Sequence, residues 1–80
     1  MRKKYTQVDE KKTGENIDYF IKEADISLLD LARKLDVTPN AVRNYIKGFN
    51  LPNTEKMYQI CKTLNVDIKD IIVEKQGGDE

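Results

Sequence analysis

The 80-residue sequence contains no histidine, a single cysteine (Cys61), two prolines and four glycines. One cysteine cannot form an internal disulfide, so a reducing compartment, the cytoplasm, is expected. The sequence also lacks a cysteine cluster that could bind a metal and a glycine-rich loop that could hold phosphate. We therefore predict no catalytic residue, no metal site and no cofactor.

Long hydrophobic runs are absent as well. No apolar stretch approaches the roughly 18–20 residues of a membrane span, and no signal peptide is visible after Met1, so we expect a soluble protein without membrane contact. A chain of this length buries only about 60–65% of its unfolded surface, which leaves a modest core and little room for a deep active-site cavity. We predict no small-molecule ligand. The content of 39% hydrophobic and 35% charged residues is nevertheless typical of one folded domain.

The formal net charge of zero conceals a strong segregation of charge along the chain. Residues 1–12 carry five basic and two acidic side chains (net +3), and residues 13–26 carry one basic and four acidic (net −3). Residues 27–50 carry four basic and two acidic side chains (net +2), and residues 51–80 four basic and six acidic (net −2). Neutrality thus argues against strong non-specific binding of polyanions but leaves room for a local basic face.

Five segments repeat apolar residues at the spacing of one helical face, and no segment alternates as a strand would. The stripes run over Ile17–Ala24, Leu28–Leu35, Val42–Ile46, Met57–Leu64 and Ile68–Ile72. Capping signals support helix boundaries at Ser27, Thr38–Pro39, Gly48, Asn53 and Asp67. We predict an all-α bundle with helices near 14–24, 28–35, 39–47, 54–64 and 68–73. This domain covers 13–73, between a flexible basic arm (1–12) and a flexible tail (74–80).

The segment 27–48 has the pattern of a helix-turn-helix. Two short predicted helices are separated only by Asp36, Val37 and Thr38, which requires a sharp turn. Asp36 occupies the position that needs a left-handed backbone, which Asp tolerates better than most residues. Ala32 is small enough for the second helix to cross closely over the first, and Val37 can pack beneath the pair.

Residues 13–72 resemble the phage repressor and Cro-like (XRE-type) helix-turn-helix family. The matching stretches are Thr13–Ile17, Leu31–Thr38, Val42–Gly48, Pro52–Asn53 and Leu64–Ile71. The resemblance implies a compact five-helix bundle in which the helix 39–47 enters the major groove of double-stranded DNA. Val42 and Tyr45 match core-facing positions.

The resemblance also implies a set of DNA-contacting residues. Asparagine can pair with adenine and arginine with guanine, so Asn40, Asn44 and Arg43 are candidate base readers, although Arg43 could instead hold a phosphate. Lys47, near the helix end, is a candidate phosphate contact. Leu28 stands where the family usually has a glutamine that bonds the DNA backbone; it either packs against the first helix or forms an exposed patch with Leu29. The predicted interface is Thr38, Pro39, Asn40, Arg43, Asn44, Lys47 and Leu28.

These features are compatible with two functions, DNA binding and protein binding. The first is a transcriptional regulator, a repressor by default, associated with the nucleoid of a bacterium or with a phage. Two or three base contacts per half-site would supply about 4–6 kcal/mol of discrimination, so a homodimer on a palindromic operator is expected. The second is a helical protein-binding module, such as an antitoxin or adaptor, which the acidic first helix and Leu28–Leu29 would suit.

Several residues allow two interpretations of their role. The arm 1–12 could follow DNA or remain solvated. Tyr45 could stack on a base, but its spacing favours the core, and Cys61 lies on an apolar stripe that favours packing over redox chemistry. Residues 71–73 could contribute to a dimer interface, or Ile68 and Ile71 could only close the core of the monomer.

Overall fold

The computed structural model describes residues 7–75, which form an all-α bundle as predicted. Its five helices are α1 (Glu10–Ala24), α2 (Leu28–Leu35), α3 (Pro39–Lys47), α4 (Thr54–Leu64) and α5 (Ile68–Ile71). The number, type and order of the helices match the expectation from the sequence. No helix in this part of the chain is long and apolar enough to cross a membrane.

Helix α1 begins four residues earlier than predicted. The Asp9 carboxylate accepts a hydrogen bond from the backbone N–H of Lys12 at 3.0 Å and so caps a first turn that has no apolar stripe. Residues 10–12 are therefore helical, and the prediction that the flexible arm extends to Lys12 was wrong for them. Residues 1–6 of the predicted arm lie outside the described residues.

Helix α5 ends two residues earlier than predicted, because the chain from Ile72 onward is extended and pairs with the segment before α1. The N–H of Asp9 donates to the carbonyl of Val73 at 2.7 Å, and the N–H of Lys75 donates to that of Gln7 at 2.8 Å. Val8 and Glu74 form the antiparallel bridge between these bonds. Glu74 and Lys75, predicted as tail, are thus tied to the fold; residues 76–80 lie outside the described part.

The predicted capping residues are confirmed at both ends of the central helices. Ser27, Thr38 and Asn53 each accept a backbone N–H from the residue three positions later, at 2.8–3.1 Å. Gly48 ends α3 with a positive φ of 80°. Each cap pairs a backbone group that would otherwise lack a partner at a helix end, which explains why these helix ends were predictable.

The core lies among all five helices: α3 and α4 each pack on α1 and α2, and α5 packs on α1 and α4. Its fully buried apolar side chains come from every helix: Ile17, Leu31, Leu35, Val42, Ile60 and Ile71. Ala32, only 2% exposed, lies inside the helix-turn-helix as predicted. Two predicted stripe positions are exposed instead: Ala24, the last residue of α1, and Ile68, the first residue of α5, which is 54% exposed.

Candidate nucleic-acid interface

The turn between α2 and α3 is closed by the backbone conformation that the sequence predicts. Asp36 has φ 58° and ψ 46°, the left-handed region, and its N–H donates to the carbonyls of Ala32 and Arg33. The N–H of Val37 also donates to the Ala32 carbonyl, at 3.0 Å. The half-buried Val37 packs against the core. The turn therefore holds α3 at a fixed angle to α2.

Helix α3 starts and stops within nine residues, a length of about 14 Å. Pro39 occupies its first position, where no N–H is needed, and the Thr38 hydroxyl accepts the N–H of Ala41 at 3.1 Å. The N–H of Gly48 donates to the carbonyls of Asn44 and Tyr45 at the other end. A helix with both ends fixed presents its side chains in one defined orientation.

One face of α3 is polar and open to solvent. Asn40, Arg43 and Lys47 are exposed and Asn44 is half-buried, a spacing of i, i+3, i+4 and i+7 that places all four on one side. In residues 7–75 the ion pairs within 4 Å are Lys22–Asp18 and Arg33–Asp30, so neither cation of α3 is neutralised there. The face thus combines two amides and two available positive charges.

The opposite face of α3 belongs to the core. Val42 is fully buried, and Tyr45 and Ile46 are half-buried against the core cluster. The core positions predicted for Val42 and Tyr45 are confirmed. Tyr45 and Ile46 therefore help to hold α3 against the core.

The remaining predicted interface residues lie beside this face. Thr38 is exposed and Pro39 is half-buried. Leu28, at the start of α2, is half-buried against the core, whereas Leu29 is 54% exposed. The sequence left open whether Leu28 packs or joins an apolar patch; it packs, and only Leu29 remains open to solvent.

Helix α1 supports α3 through two glycines that sequence analysis did not single out as contacts. A Cβ on Gly14 would overlap the carbonyl oxygen of Tyr45 and lie 2.5 Å from that of Ile46. A Cβ on Gly48 would lie 2.6 Å from the Cα of Lys11. The first turns of α1 therefore touch the last turn of α3 backbone to backbone. Gly14 lies inside a helix, where no turn requires a glycine, and this was the sequence feature that could have indicated the close contact with α3.

One further exposed side chain borders the polar face and was missed. Phe49 follows the end of α3, is 68% exposed, and has the Lys47 ammonium 5.9 Å from its ring centroid. That contact is a weak cation–π interaction at an exposed site. The sequence feature that could have indicated this exposed residue is a large aromatic side chain directly after a helix-ending glycine.

Cys61 lies apart from this face, in α4, and is only 9% exposed. Burial raises the pKa of its thiol, and the negative charges of Asp67 and Asp70 raise it further. The core position predicted for Cys61 is confirmed. Among the described residues, no three histidine, cysteine or acidic side chains converge as they would around a metal ion.

A protein-family model described as helix-turn-helix matches residues 17–71, from α1 through α5. The chain belongs to this helix-turn-helix family, of the phage repressor and Cro-like (XRE) type. As a member, it is a DNA-binding regulator of transcription, and the family is not an enzyme family. No curated protein matches the chain by sequence.

Solved structures with the same fold have low sequence identity to the chain. One is the restriction-modification controller protein C.AhdI from Aeromonas hydrophila, with a TM-score of 0.72, 14% identity, and coverage of 79% of this chain and 96% of that one. Another is the clp gene regulator ClgR from C. glutamicum, with a TM-score of 0.71, 19% identity, and coverage of 78% and 80%. A third is the SOS-response transcriptional repressor LexA from Eubacterium rectale, with a TM-score of 0.74, 21% identity, and coverage of 92% and 80%.

Proposed function

We propose that this protein is a sequence-specific repressor that reads the major groove of double-stranded DNA with α3. The observation that carries the proposal is the polar face of α3, where Asn40, Arg43, Asn44 and Lys47 share one side of a helix capped at both ends. The major groove admits an α-helix, and amide and guanidinium groups match the donor and acceptor patterns of base edges there.

Each residue of the face has a distinct proposed role. Asn40, in the first turn of α3, pairs with the N6 and N7 atoms of adenine, and Arg43 with the O6 and N7 atoms of guanine or with a phosphate. Asn44 is half-buried, so it reaches a base edge only from a helix seated deep in the groove. Lys47 in the last turn contacts phosphate, which adds affinity without sequence preference.

Thr38, Pro39 and Leu28 complete the proposed interface in supporting roles. The Thr38 hydroxyl accepts the Ala41 N–H and retains its own proton, which it can donate to a phosphate oxygen. Pro39 fixes the first turn of α3 beside the DNA. Leu28 has no polar group for the DNA backbone, so its contribution is apolar contact at the edge of the interface.

The protein acts as a homodimer on a palindromic operator in this proposal. Each bidentate base contact is worth about 1–3 kcal/mol of discrimination. Two or three contacts in one half-site give about 4–6 kcal/mol, near the low end of what specific DNA-binding proteins show, and two half-sites together double it. Repression is proposed because a small domain bound at a promoter blocks it without further contacts. The proposed location is the nucleoid in the cytoplasm.

Titration of fluorescent duplexes that carry the operator, first identified by selection from a pool of randomised duplexes, tests these assignments. Asn40→Ala should weaken operator binding by about 1–3 kcal/mol and relax preference at one base pair, because a base contact is lost. Arg43→Ala should also weaken operator binding: relaxed preference at one base pair would assign it to guanine, and equal weakening on all duplexes would assign it to a phosphate. Lys47→Ala should weaken binding to all duplexes alike and reduce the slope of log affinity against log salt by about one.

Lys69→Ala is the matched control, since Lys69 is an exposed lysine in α5, a helix that does not belong to the helix-turn-helix. It should leave both affinity and salt slope unchanged. Equal losses for Lys47→Ala and Lys69→Ala, or no loss for Asn40→Ala and Arg43→Ala, would place the DNA on another face and refute the proposal.

Exposure of Leu29 favours a second candidate, the protein-binding module. Leu29 is 54% exposed at the start of α2, and the outer side of α1 carries the exposed acids Glu15 and Glu23. An exposed apolar side chain and exposed acids on one small domain are features that a basic protein partner could bind. Competition between a protein partner and the operator would show both functions on one chain.

A further inference from the structure

The end of α5 and the segment after it are hydrogen-bonded to the start of α1. The side-chain amide of Asn16 donates to the carbonyl of Ile71 at 3.0 Å, and the N–H of Val73 donates to the Thr13 hydroxyl at 3.0 Å. The N–H of Asp9 donates in turn to the Val73 carbonyl at 2.7 Å. We call these five residues the terminal clasp: Asp9, Thr13 and Asn16 on one side, Ile71 and Val73 on the other.

The central bond of the terminal clasp is shielded from water. Thr13 is completely buried, and it is the only buried polar or charged side chain among the described residues. A donor that loses its partner in such a place stays unpaired, because water cannot replace the lost acceptor. The Thr13 hydroxyl therefore fixes the position of Val73.

The same turns of α1 support the last turn of α3 on another side. Gly14, next to Thr13, lies so close to α3 that a Cβ on it would overlap the Tyr45 carbonyl oxygen. A Cβ on Gly48 would lie 2.6 Å from the Cα of Lys11. Successive residues of a helix point about 100° apart, so Thr13 meets the C-terminal segment while Gly14 meets α3. The start of α1 thus lies between the two.

The two halves of α3 are held by different neighbours. The first turn of α3 follows directly on the left-handed Asp36 and the Thr38 cap. The last turn is held through its backbone by α1, which touches the carbonyl of Tyr45. Asn40 therefore belongs to the half that the turn fixes, and Asn44 to the half that α1 fixes. A displacement of the start of α1 would move Asn44 more than Asn40.

We propose that Thr13 and Asn16 are positioning residues for DNA reading. By holding the C-terminal segment they fix the start of α1, and through it the position of Asn44 in the major groove. This inference rests on the proposed function and extends it to residues that touch no DNA. Closely packed contacts transmit displacements, and hydrogen bonds weaken steeply away from their best distance and angle. Loss of the Thr13–Val73 bond therefore reduces selectivity at the base pair that Asn44 reads.

NMR spectra of the free protein test the link between the terminal clasp and α3 without DNA. Thr13→Val keeps the shape of the side chain and removes its hydroxyl, so the amide signals of Tyr45, Ile46 and Gly48 should shift. Thr13→Ser retains the hydroxyl and should leave these signals close to their wild-type positions. Thr63→Val is the matched control, because Thr63 is a half-buried threonine in the last turn of α4, outside the clasp. It should not move the α3 signals.

Val73→Pro removes the same bond from the C-terminal side and leaves α1 unchanged. Proline has no N–H to donate, and Ile72 before it already has the extended backbone that precedes a proline, with φ −69° and ψ 132°. Val73→Pro should therefore shift the same α3 signals as Thr13→Val. Circular dichroism verifies that both variants are folded.

Titration of operator duplexes altered at single base pairs tests the consequence for DNA reading. The base pairs that lose preference in Asn40→Ala and Asn44→Ala identify the positions that these two residues read. Thr13→Val should lower the preference at the Asn44 position at least ~3-fold and change that at the Asn40 position by less than ~2-fold, and Thr13→Ser should restore both. A purely stabilising role would lower the amount of folded protein and weaken binding to every duplex by the same factor.

Two results overturn the inference: α3 signals that stay in place in Thr13→Val although the Val73 signal shifts, or equal weakening of Thr13→Val on every duplex. Failure of the proposed function looks different. A wild type that selects no DNA motif refutes DNA reading, while shifted α3 signals would still show that the terminal clasp holds α3. A wild type that selects a motif, with full preference at the Asn44 position retained in Thr13→Val, refutes only the positioning role.

Discussion

Gly14 of α1 and Tyr45 of α3 meet backbone to backbone: a methyl group on Gly14 would overlap the Tyr45 carbonyl oxygen. This contact joins the first helix to the last turn of the proposed recognition helix. Since the Tyr45 side chain packs on the core as well, α3 is held both by its backbone and by its buried face. The orientation of the polar face therefore depends on a residue outside the helix-turn-helix itself.

Gly14→Ala should destabilise the protein although alanine favours helix formation by about 1 kcal/mol over glycine. The added methyl meets main-chain atoms of α3 rather than a flexible side chain, so we expect a net loss of about 1–3 kcal/mol in the free energy of unfolding. Urea denaturation measures it. Glu15→Ala, at the exposed neighbouring position, is the control and should be nearly neutral. A gain of stability on Gly14→Ala would mean that α1 and α3 are not in close contact.

Thr13→Val should loosen the junction between α1 and the C-terminal segment. Thr13 is completely buried, and its hydroxyl accepts the N–H of Val73 at 3.0 Å. Valine keeps the shape but leaves that N–H unpaired, at an expected cost of about 1–3 kcal/mol. Hydrogen exchange at Val73 should accelerate in Thr13→Val and much less in Thr13→Ser, which keeps the hydroxyl. Equal exchange in both variants would contradict the bond.

Stability should fall in alkaline solution partly through Cys61. Burial and the charges of Asp67 and Asp70 raise the pKa of its thiol above the ordinary 9.0. Above that pH the unfolded chain loses the thiol proton while the folded chain keeps it, so the contribution is present below the unfolded pKa and is lost as pH rises through the folded pKa. Urea denaturation from neutral to alkaline pH should give a shallower decline for Cys61→Ala than for the wild type. Identical slopes would show that the thiol environment is ordinary.

The two candidate functions predict opposite effects of substitutions on α2 and α3. If the protein is a repressor, Asn40→Ala and Arg43→Ala should derepress a reporter gene placed behind the operator, because base contacts are lost, while Leu29→Asp should have little effect. If its work is protein binding, Leu29→Asp should abolish function and both α3 variants should retain it. Immunoblots in the reporter strain establish equal protein levels and so exclude degradation as the cause.

Sequence patterns predicted the central part of the fold well because local signals there agree with tertiary packing. Thr38, Pro39 and Gly48 made both ends of α3 predictable. The turn before α3 was predictable because Asp36 tolerates the left-handed backbone conformation that the turn requires. The early start of α1 was missed because its first turn depends on the Asp9 cap and carries no apolar stripe.

Long-range relationships were not predictable from local patterns. The exposure of Ile68 depends on how α5 docks, not on the spacing of its stripe. The contact of Gly14 with α3 joins residues about thirty positions apart, and no periodicity encodes it. For the candidate interface, helical spacing placed Asn40, Arg43, Asn44 and Lys47 on one face, but the packing of Leu28 and the position of Phe49 required the structure.

Whether α3 reads a specific DNA sequence can be tested by selecting duplexes from a randomised pool with the purified protein and sequencing the bound fraction. We predict a two-fold symmetric motif with half-sites about one helical turn apart, since two copies of α3 would enter successive major grooves on one side of the DNA. No enrichment at ~100 mM salt, where specific binding survives the loss of non-specific attraction, would contradict the claim that α3 reads DNA.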